Sequence, residues 1–146
     1  MKLTFCLLGI ALSGLINCTN SQTKNTNSIS KVEMHLSAFG VESDDFPSID
    51  VIIDFQNDTS SCKKWYYNPT YKDSIYSLSR TDITKVLDLL QSTDLTKLKE
   101  EYTVDKTDQP SSKTIIYTNQ STFTINDYGL EADHPLQAIY KIVYQY

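Results

Sequence analysis

The first half of the chain alternates apolar and polar residues, which is the pattern of strands that bury one face. Val32, Met34, Leu36 and Ala38 indicate a first strand near 31–39. Three further strands are expected at 49–55, 62–67 and 74–78, separated by an acidic loop at 40–47, a turn at 56–61 and the pair Asn68-Pro69. This half therefore predicts an antiparallel meander.

The period of the pattern then changes to that of a helix. Ile83, Val86, Leu87 and Leu90 recur at helical spacing and form one apolar stripe, so a helix is expected over 80–91.

The start of this helix carries a capping signal. Ser79 precedes it and Asp82 follows three residues later, in the manner of a capping box. Leu95 and Leu98 indicate a further short helical turn.

The second half predicts a hairpin and a closing helix. A polar loop is expected at 100–112, followed by strands at 114–118 and 121–126 around a turn at Asn119-Gln120. Pro135 suits the first turn of a last helix, whose apolar face would hold Leu136, Ile139, Tyr140 and Val143. The predicted fold class is α+β, with a largely antiparallel sheet of about five to six strands and two helices on one face.

The amino terminus has the pattern of an export signal. Lys2 precedes a mainly apolar run at 3–16, which would span about 20 Å as a helix. This is shorter than the roughly 30 Å hydrocarbon core of a bilayer, so the run is interpreted as a signal peptide and not as a permanent span.

The run ends in Leu15-Ile16-Asn17-Cys18, which resembles the lipobox of bacterial lipoproteins. The resemblance implies cleavage before Cys18 and a lipid anchor on its thiol. Ile16 and Asn17 are bulkier than the usual occupants, which leaves cleavage by the general signal peptidase open. The expected organisation is a signal peptide at 1–17, a lipid-anchored flexible tether at 18–30 and a single domain at 31–146, located in the bacterial cell envelope.

The order of elements carries a second resemblance. A capped helix, a polar loop with Thr107-Asp108-x-Pro110, a hairpin, Asp127-Tyr128-Gly129 and a closing helix with Pro135 together resemble a family of bacterial lipoprotein domains without an established activity. The resemblance covers about 49–146 and implies the fold and the location, but no mechanism. The acidic loop at 40–47 departs from the compact first hairpin of that family.

Composition narrows the classes of partner. The formal net charge is −5, and it becomes −6 if Lys2 leaves with the signal. A negative balance repels phosphates, so a nucleic-acid partner is not expected. The expected partners are the membrane, through the anchor on Cys18, and a protein or a glycan.

Metal and thiol chemistry have little support in the sequence. Cys62 is the single cysteine of the expected domain, and a strand residue used as a small hydrophobe is the favoured interpretation over a nucleophile. His35 is expected to face solvent, and His134 to end a loop and cap a helix. No cofactor, metal site or catalytic residue is predicted.

Two sets of residues are candidates for a site. The carboxylates of Asp105, Asp108 and Asp127 would support acid–base chemistry or calcium binding if they converged, although such residues near turns usually bond their own backbone. The aromatic stretch at 65–71 offers Trp65, Tyr67 and Tyr71 as ligand-binding residues, and its alternative interpretation is cross-strand packing.

The favoured hypothesis is a membrane-tethered, non-enzymatic binding or envelope-associated lipoprotein. An immunity or inhibitor lipoprotein against a basic toxin or hydrolase is the alternative, which a neighbouring toxin gene would favour. A hydrolase that uses the three carboxylates is the third hypothesis, and it requires them to share a cleft.

Overall fold

A computed structural model describes residues 28–41 and 44–145. The leader, Cys18 and most of the expected tether therefore lie outside the described residues, as does Glu42 of the acidic loop. The α+β class is confirmed: a seven-stranded mixed sheet is combined with two α-helices.

The elements follow one another along the chain with short connections. The strands are β1 (Ile29–Ser37), β2 (Ser48–Asp54), β3 (Thr59–Trp65), β4 (Ser74–Tyr76), β5 (Glu101–Thr103), β6 (Ser111–Thr118) and β7 (Thr122–Tyr128). The helices are α1 (Arg80–Ser92) and α2 (Leu136–Val143), and a 3-10 turn spans Leu95–Lys97.

The order of strands across the sheet is β4-β3-β2-β1-β6-β7-β5. All neighbours are antiparallel except β5 and β7, which pair in parallel. The expected count of five to six strands was too low because β5 lies within 100–112, which was predicted as a loop. The first residues of β6 lie in the same predicted loop. A three-residue strand carries no alternation of its own, and only its register with β7 defines it.

The core lies between one face of the sheet and the two helices. Alternate strand residues point to this face and are fully buried, among them Val32, Leu36, Ile53 and Ile116. The predicted apolar stripe of α2 is confirmed, since all four of its residues are buried. These side chains belong to a single hydrophobic cluster, which places both helices on the same face of the sheet.

The predicted cap of α1 is also confirmed. The Asp82 backbone N–H donates to Ser79 Oγ at 3.1 Å, and Ser79 Oγ in turn donates to Asp82 Oδ2 at 2.7 Å. Arg80 forms a 2.6 Å ion pair with Asp58 of the β2–β3 turn, so the first turn of α1 is linked to the sheet.

Several strand boundaries differ from the prediction by two or three residues, among them the start of β1 and the end of β3. β1 begins at Ile29, which is buried, so the folded chain starts two residues earlier than expected. β3 ends at Trp65 and not at residue 67, and Trp65 pairs with Ser48. The residue before Ser48 is Pro47, which has no N–H to donate to the next position of β3. Tyr66 and Tyr67 therefore leave the sheet.

Candidate functional site: an aromatic groove and a buried polar cluster

A groove of about 600 Å³ lies at the end of the sheet where β1 and β3 finish and β2 begins. Five rings and a carboxylate line it, together with small residues of the β1–β2 loop: Phe39, Phe46, Trp65, Tyr66, Tyr67 and Asp44. We call it the aromatic groove. Its volume lies within the range of about 300–1,000 Å³ that is typical of small-molecule sites.

Backbone hydrogen bonds hold the loop wall of the groove. The Ala38 N–H donates to Ser48 Oγ at 3.1 Å, and the Phe39 N–H donates to Ser37 Oγ at 3.2 Å. The Val41 N–H donates to the Ala38 carbonyl at 3.0 Å, and Gly40 between them has a φ of 90°. These bonds turn the loop sharply after β1 and set the backbone position of Phe39.

Two rings of the groove face solvent almost completely. Phe39 is 93% exposed and Tyr67 is 96% exposed. Neither ring contributes to the core, so packing gives no reason for an aromatic residue at either position. Contact with a partner supplies such a reason.

The rings along β3 are held more firmly. Trp65 is partly buried, its ring centroid lies 5.9 Å from that of His35, and Lys63 Nζ lies 5.6 Å from its centroid. His35 Nδ1 in turn lies 2.7 Å from Asp50 Oδ1. These neighbours on the uncovered face of the sheet fix the indole at the base of the groove.

Tyr66 and Tyr71 form the flank of the groove. Their ring centroids are 5.2 Å apart, and Lys64 Nζ lies 5.8 Å from the centroid of Tyr66. Tyr71 is 42% exposed and does not line the groove itself. The structure thus brings the predicted residues Trp65 and Tyr67 together in one groove and places Tyr71 beside it.

The three predicted carboxylates lie in different environments. Asp105 and Asp108 are exposed on the loop between β5 and β6, whereas Asp127 is buried beneath the sheet. Within residues 28–41 and 44–145, no three or more His, Cys, Asp or Glu side chains form a group that could hold a metal ion. The buried Asp127 therefore does not share an exposed surface with Asp105 and Asp108.

Asp127 belongs instead to a second feature, a buried polar cluster between β6, β7 and α2. Its Oδ2 lies 2.7 Å from His134 Nε2 and accepts from Gln137 Nε2 at 3.2 Å. Both members of the Asp127–His134 pair are sealed from solvent, and the Tyr102 ring stacks on His134 with a centroid distance of 4.1 Å.

The tautomer of His134 follows from its second contact. The Leu136 backbone N–H donates to His134 Nδ1 at 3.3 Å, so Nδ1 accepts and Nε2 carries the proton given to Asp127. The N-cap of the last helix is Pro135 and not the predicted His134, but His134 accepts from the first N–H of that helix. Because both ring nitrogens are committed, the imidazole has no free nitrogen with which to activate a nucleophile.

Hydroxyl groups surround the buried carboxylate. Ser112 Oγ and Tyr144 OH share a hydrogen bond. Thr114 Oγ1, Asp127 Oδ1 and Tyr140 OH are buried and form no hydrogen bond with the described residues. Burial, and after it the nearby Asp127 charge, raises the pKa of Tyr140 well above its usual range. The Tyr140 hydroxyl is therefore neutral at physiological pH.

No protein-family model matches the chain, and neither a curated protein nor a solved structure is significantly similar to it. In the described portion, no helix has both the length and the apolar character needed to cross a membrane.

Cys62 is fully buried on β3, and the prediction of a small hydrophobic residue agrees with that position. Burial raises the pKa of the Cys62 thiol to about 11. A thiol that stays protonated under physiological conditions is a poor nucleophile.

The sequence also contains a pattern that indicates the buried position of Asp127. Asp127 falls two positions after Ile125, so strand alternation assigns both to the same face. A carboxylate on an otherwise apolar face requires a buried partner, which is the position that His134 fills.

Proposed function

We propose that this protein is a lipid-anchored, non-enzymatic binding lipoprotein of the bacterial cell envelope, and that it presents the aromatic groove to its ligand. The observation that carries the proposal is the pair of almost fully exposed rings, Phe39 and Tyr67, at the mouth of a groove with a fixed indole at its base. Aromatic side chains are enriched among the anchors of binding surfaces.

The anchoring half of the proposal comes from the sequence. The apolar run at 3–16 and the lipobox-like Leu15-Ile16-Asn17-Cys18 support export and acylation of Cys18.

The position of the groove suits an anchored domain. The chain enters the sheet at Ile29, and the groove lies beyond Ser37 at the far end of β1. Nine strand residues span about 30 Å. The groove thus lies at the opposite end of β1 from the point where the expected tether joins the domain.

The buried cluster supports a binding role over a catalytic one. Its single acid–base pair is enclosed, and both nitrogens of His134 are already bonded. The Cys62 thiol is enclosed as well.

The experiment has two arms on the full chain expressed in a bacterial host. In the first, a clickable fatty acid is fed to cells, and intact mass is measured on the purified protein. We expect a product cleaved before Cys18 that carries acyl chains, and no label on Cys18→Ser. An unprocessed terminus or an unmodified thiol would contradict the anchor.

In the second arm, photo-crosslinking in envelope extracts compares the wild type with the Trp65→Ala, Tyr67→Ala double variant and with Ile75→Ala. Ile75 is 80% exposed but lies on β4, away from the groove, and so serves as the matched control. We expect a ligand with the wild type and Ile75→Ala, and its loss with the double variant. Equal recovery by all three proteins, or no recovery, would contradict the binding role.

A further inference from the structure

We propose that the ligand of the aromatic groove is a neutral oligosaccharide. The inference rests on the proposed function and names the chemical class that the groove accepts. A sugar ring has a flat face of C–H groups and a rim of hydroxyls, so it requires both an aromatic surface and polar groups beside it.

The groove offers both kinds of surface. Phe39 and Tyr67 supply exposed rings on two loops, and Trp65 supplies a ring held by β3. The Asp44 carboxylate also lines the groove, and its Oδ2 accepts from Asn68 Nδ2 at 3.5 Å. A carboxylate has about four acceptor sites, so Asp44 can also accept from sugar hydroxyls.

The charges around the groove give an ionic ligand of either sign no clear advantage. The ammonium groups of Lys63 and Lys64 lie near the rings of Trp65 and Tyr66, where they would attract an anion and repel a cation. Asp44 and the net charge of −5 would act in the opposite sense. A neutral ligand depends on neither charge and uses the rings and hydrogen bonds alone.

Recognition of a peptide by strand addition is disfavoured by the position of the groove in the sheet. Recognition of a peptide by strand addition requires a free sheet edge. The groove crosses the ends of β1, β2 and β3, and each of these strands is already paired on both sides. The groove therefore provides no backbone ladder and relies on its side chains.

Trp65 is the only tryptophan in the chain, so its fluorescence reports on the groove alone. The test titrates the full lipoprotein, in a detergent without sugar groups, with neutral hexasaccharides of glucose, mannose, xylose and N-acetylglucosamine. Oligogalacturonate and fully deacetylated chitosan oligomers serve as anionic and cationic probes, and an uncharged hexapeptide serves as the peptide probe.

We expect saturable binding of at least one neutral hexasaccharide, with an affinity that changes less than about twofold between 50 and 500 mM salt, because the ligand carries no charge. Phe39→Ala and Tyr67→Ala should each weaken binding about tenfold, the loss expected for an aromatic anchor. Ile75→Ala should bind as the wild type does. Circular dichroism checks that each variant is folded.

Three outcomes overturn the inference. They are no binding of any neutral hexasaccharide at millimolar concentration, tighter binding of a charged oligomer or of the peptide, and binding that the two groove variants leave unchanged. If the envelope crosslink still depends on Trp65 and Tyr67 while the sugars fail, the binding role stands and only the ligand class falls. If both fail, the proposed function falls as well.

Discussion

The aromatic groove and the buried polar cluster distribute polar and apolar groups in opposite ways. The cluster hides a carboxylate, an imidazole and several hydroxyls beneath β6 and β7, where Asp127 and His134 satisfy each other. The groove leaves Phe39 and Tyr67 in solvent, where they stabilise nothing in the fold. The buried polar groups thus serve the architecture, and the exposed rings are the ones to which the proposed function gives a role.

The strongest test of this contrast is Asp127→Ala. The variant leaves the buried Nε2–H of His134 and the partly buried amide of Gln137 without this acceptor, so the free energy of unfolding should fall by about 3–4 kcal/mol. Urea denaturation measures the loss. Asp105→Ala, at an exposed carboxylate, is the control and should change stability by less than about 0.5 kcal/mol. Equal effects of the two variants would mean that the cluster does not support the fold.

A pair of glycines extends the comparison to the backbone. Gly129 beside the cluster and Gly40 beside the groove have φ values of 92° and 90°. A Cβ on Gly129 would clash with Val104 Cγ2, whereas one on Gly40 would meet nothing within 4 Å. Gly40→Ala should cost about 1 kcal/mol from backbone strain alone, and Gly129→Ala about 3 kcal/mol because overpacking is added. Thermal melts of both variants check the order, and a reversed order would refute it.

The third test concerns Cys62, which lies three residues before Trp65 on the strand that supports the groove. Its pKa of about 11 in the fold exceeds the value of 9.0 for an unperturbed thiol, so the native state keeps a proton that the unfolded chain loses first. The resulting stability is present below pH 9 and is lost as the pH rises through 11.

The measurement compares urea midpoints of the wild type and Cys62→Ala at pH 8 and pH 11. The stability difference between the two proteins should shift by about 2 kcal/mol against the wild type at the higher pH. A difference that does not depend on pH would show that the thiol is hydrated in the native state.

The smallest effect is expected at the groove itself. Phe39→Ala and Tyr67→Ala remove rings that are almost fully exposed, so each should change the free energy of unfolding by less than about 0.5 kcal/mol. Urea titration of each variant measures this. A loss of more than about 1 kcal/mol would make the rings structural and remove the main argument for the binding role.

Local patterns in the sequence were sufficient for most of the fold. The Ser79–Asp82 cap, the stripe of α2 and the strand around Val32 depend on neighbours within a few residues, and each was predicted. β5 was missed because its three residues become a strand only through pairing with β7, more than twenty positions away. Strand pairing at that distance leaves no periodic trace in so short a segment.

The candidate site was likewise predicted only where the local sequence pattern determines it. The stretch at 65–71 was singled out from composition, but the other wall of the groove, Phe39 and Phe46, was missed. These two rings belong to the β1–β2 loop. The course of this loop is set by bonds such as the one from the Ala38 N–H to Ser48 Oγ, and no alternation of apolar and polar residues marks it in the sequence. Likewise, Asp127 was grouped with exposed carboxylates because spacing along the chain does not show that His134 folds back over it.

The central place of β1 has a consequence for how the molecule assembles. β1 joins the early meander to β6, and the hydrogen bond from Tyr117 to Glu33 links residues 84 positions apart. Closing so long a loop is slow, whereas the β1–β4 meander needs only neighbours in sequence. During synthesis the N-terminal strands are thus complete while the edge of β1 that later pairs with β6 is still unpaired. The arrival of the C-terminal third is the step that protects this edge and commits the chain to its native form.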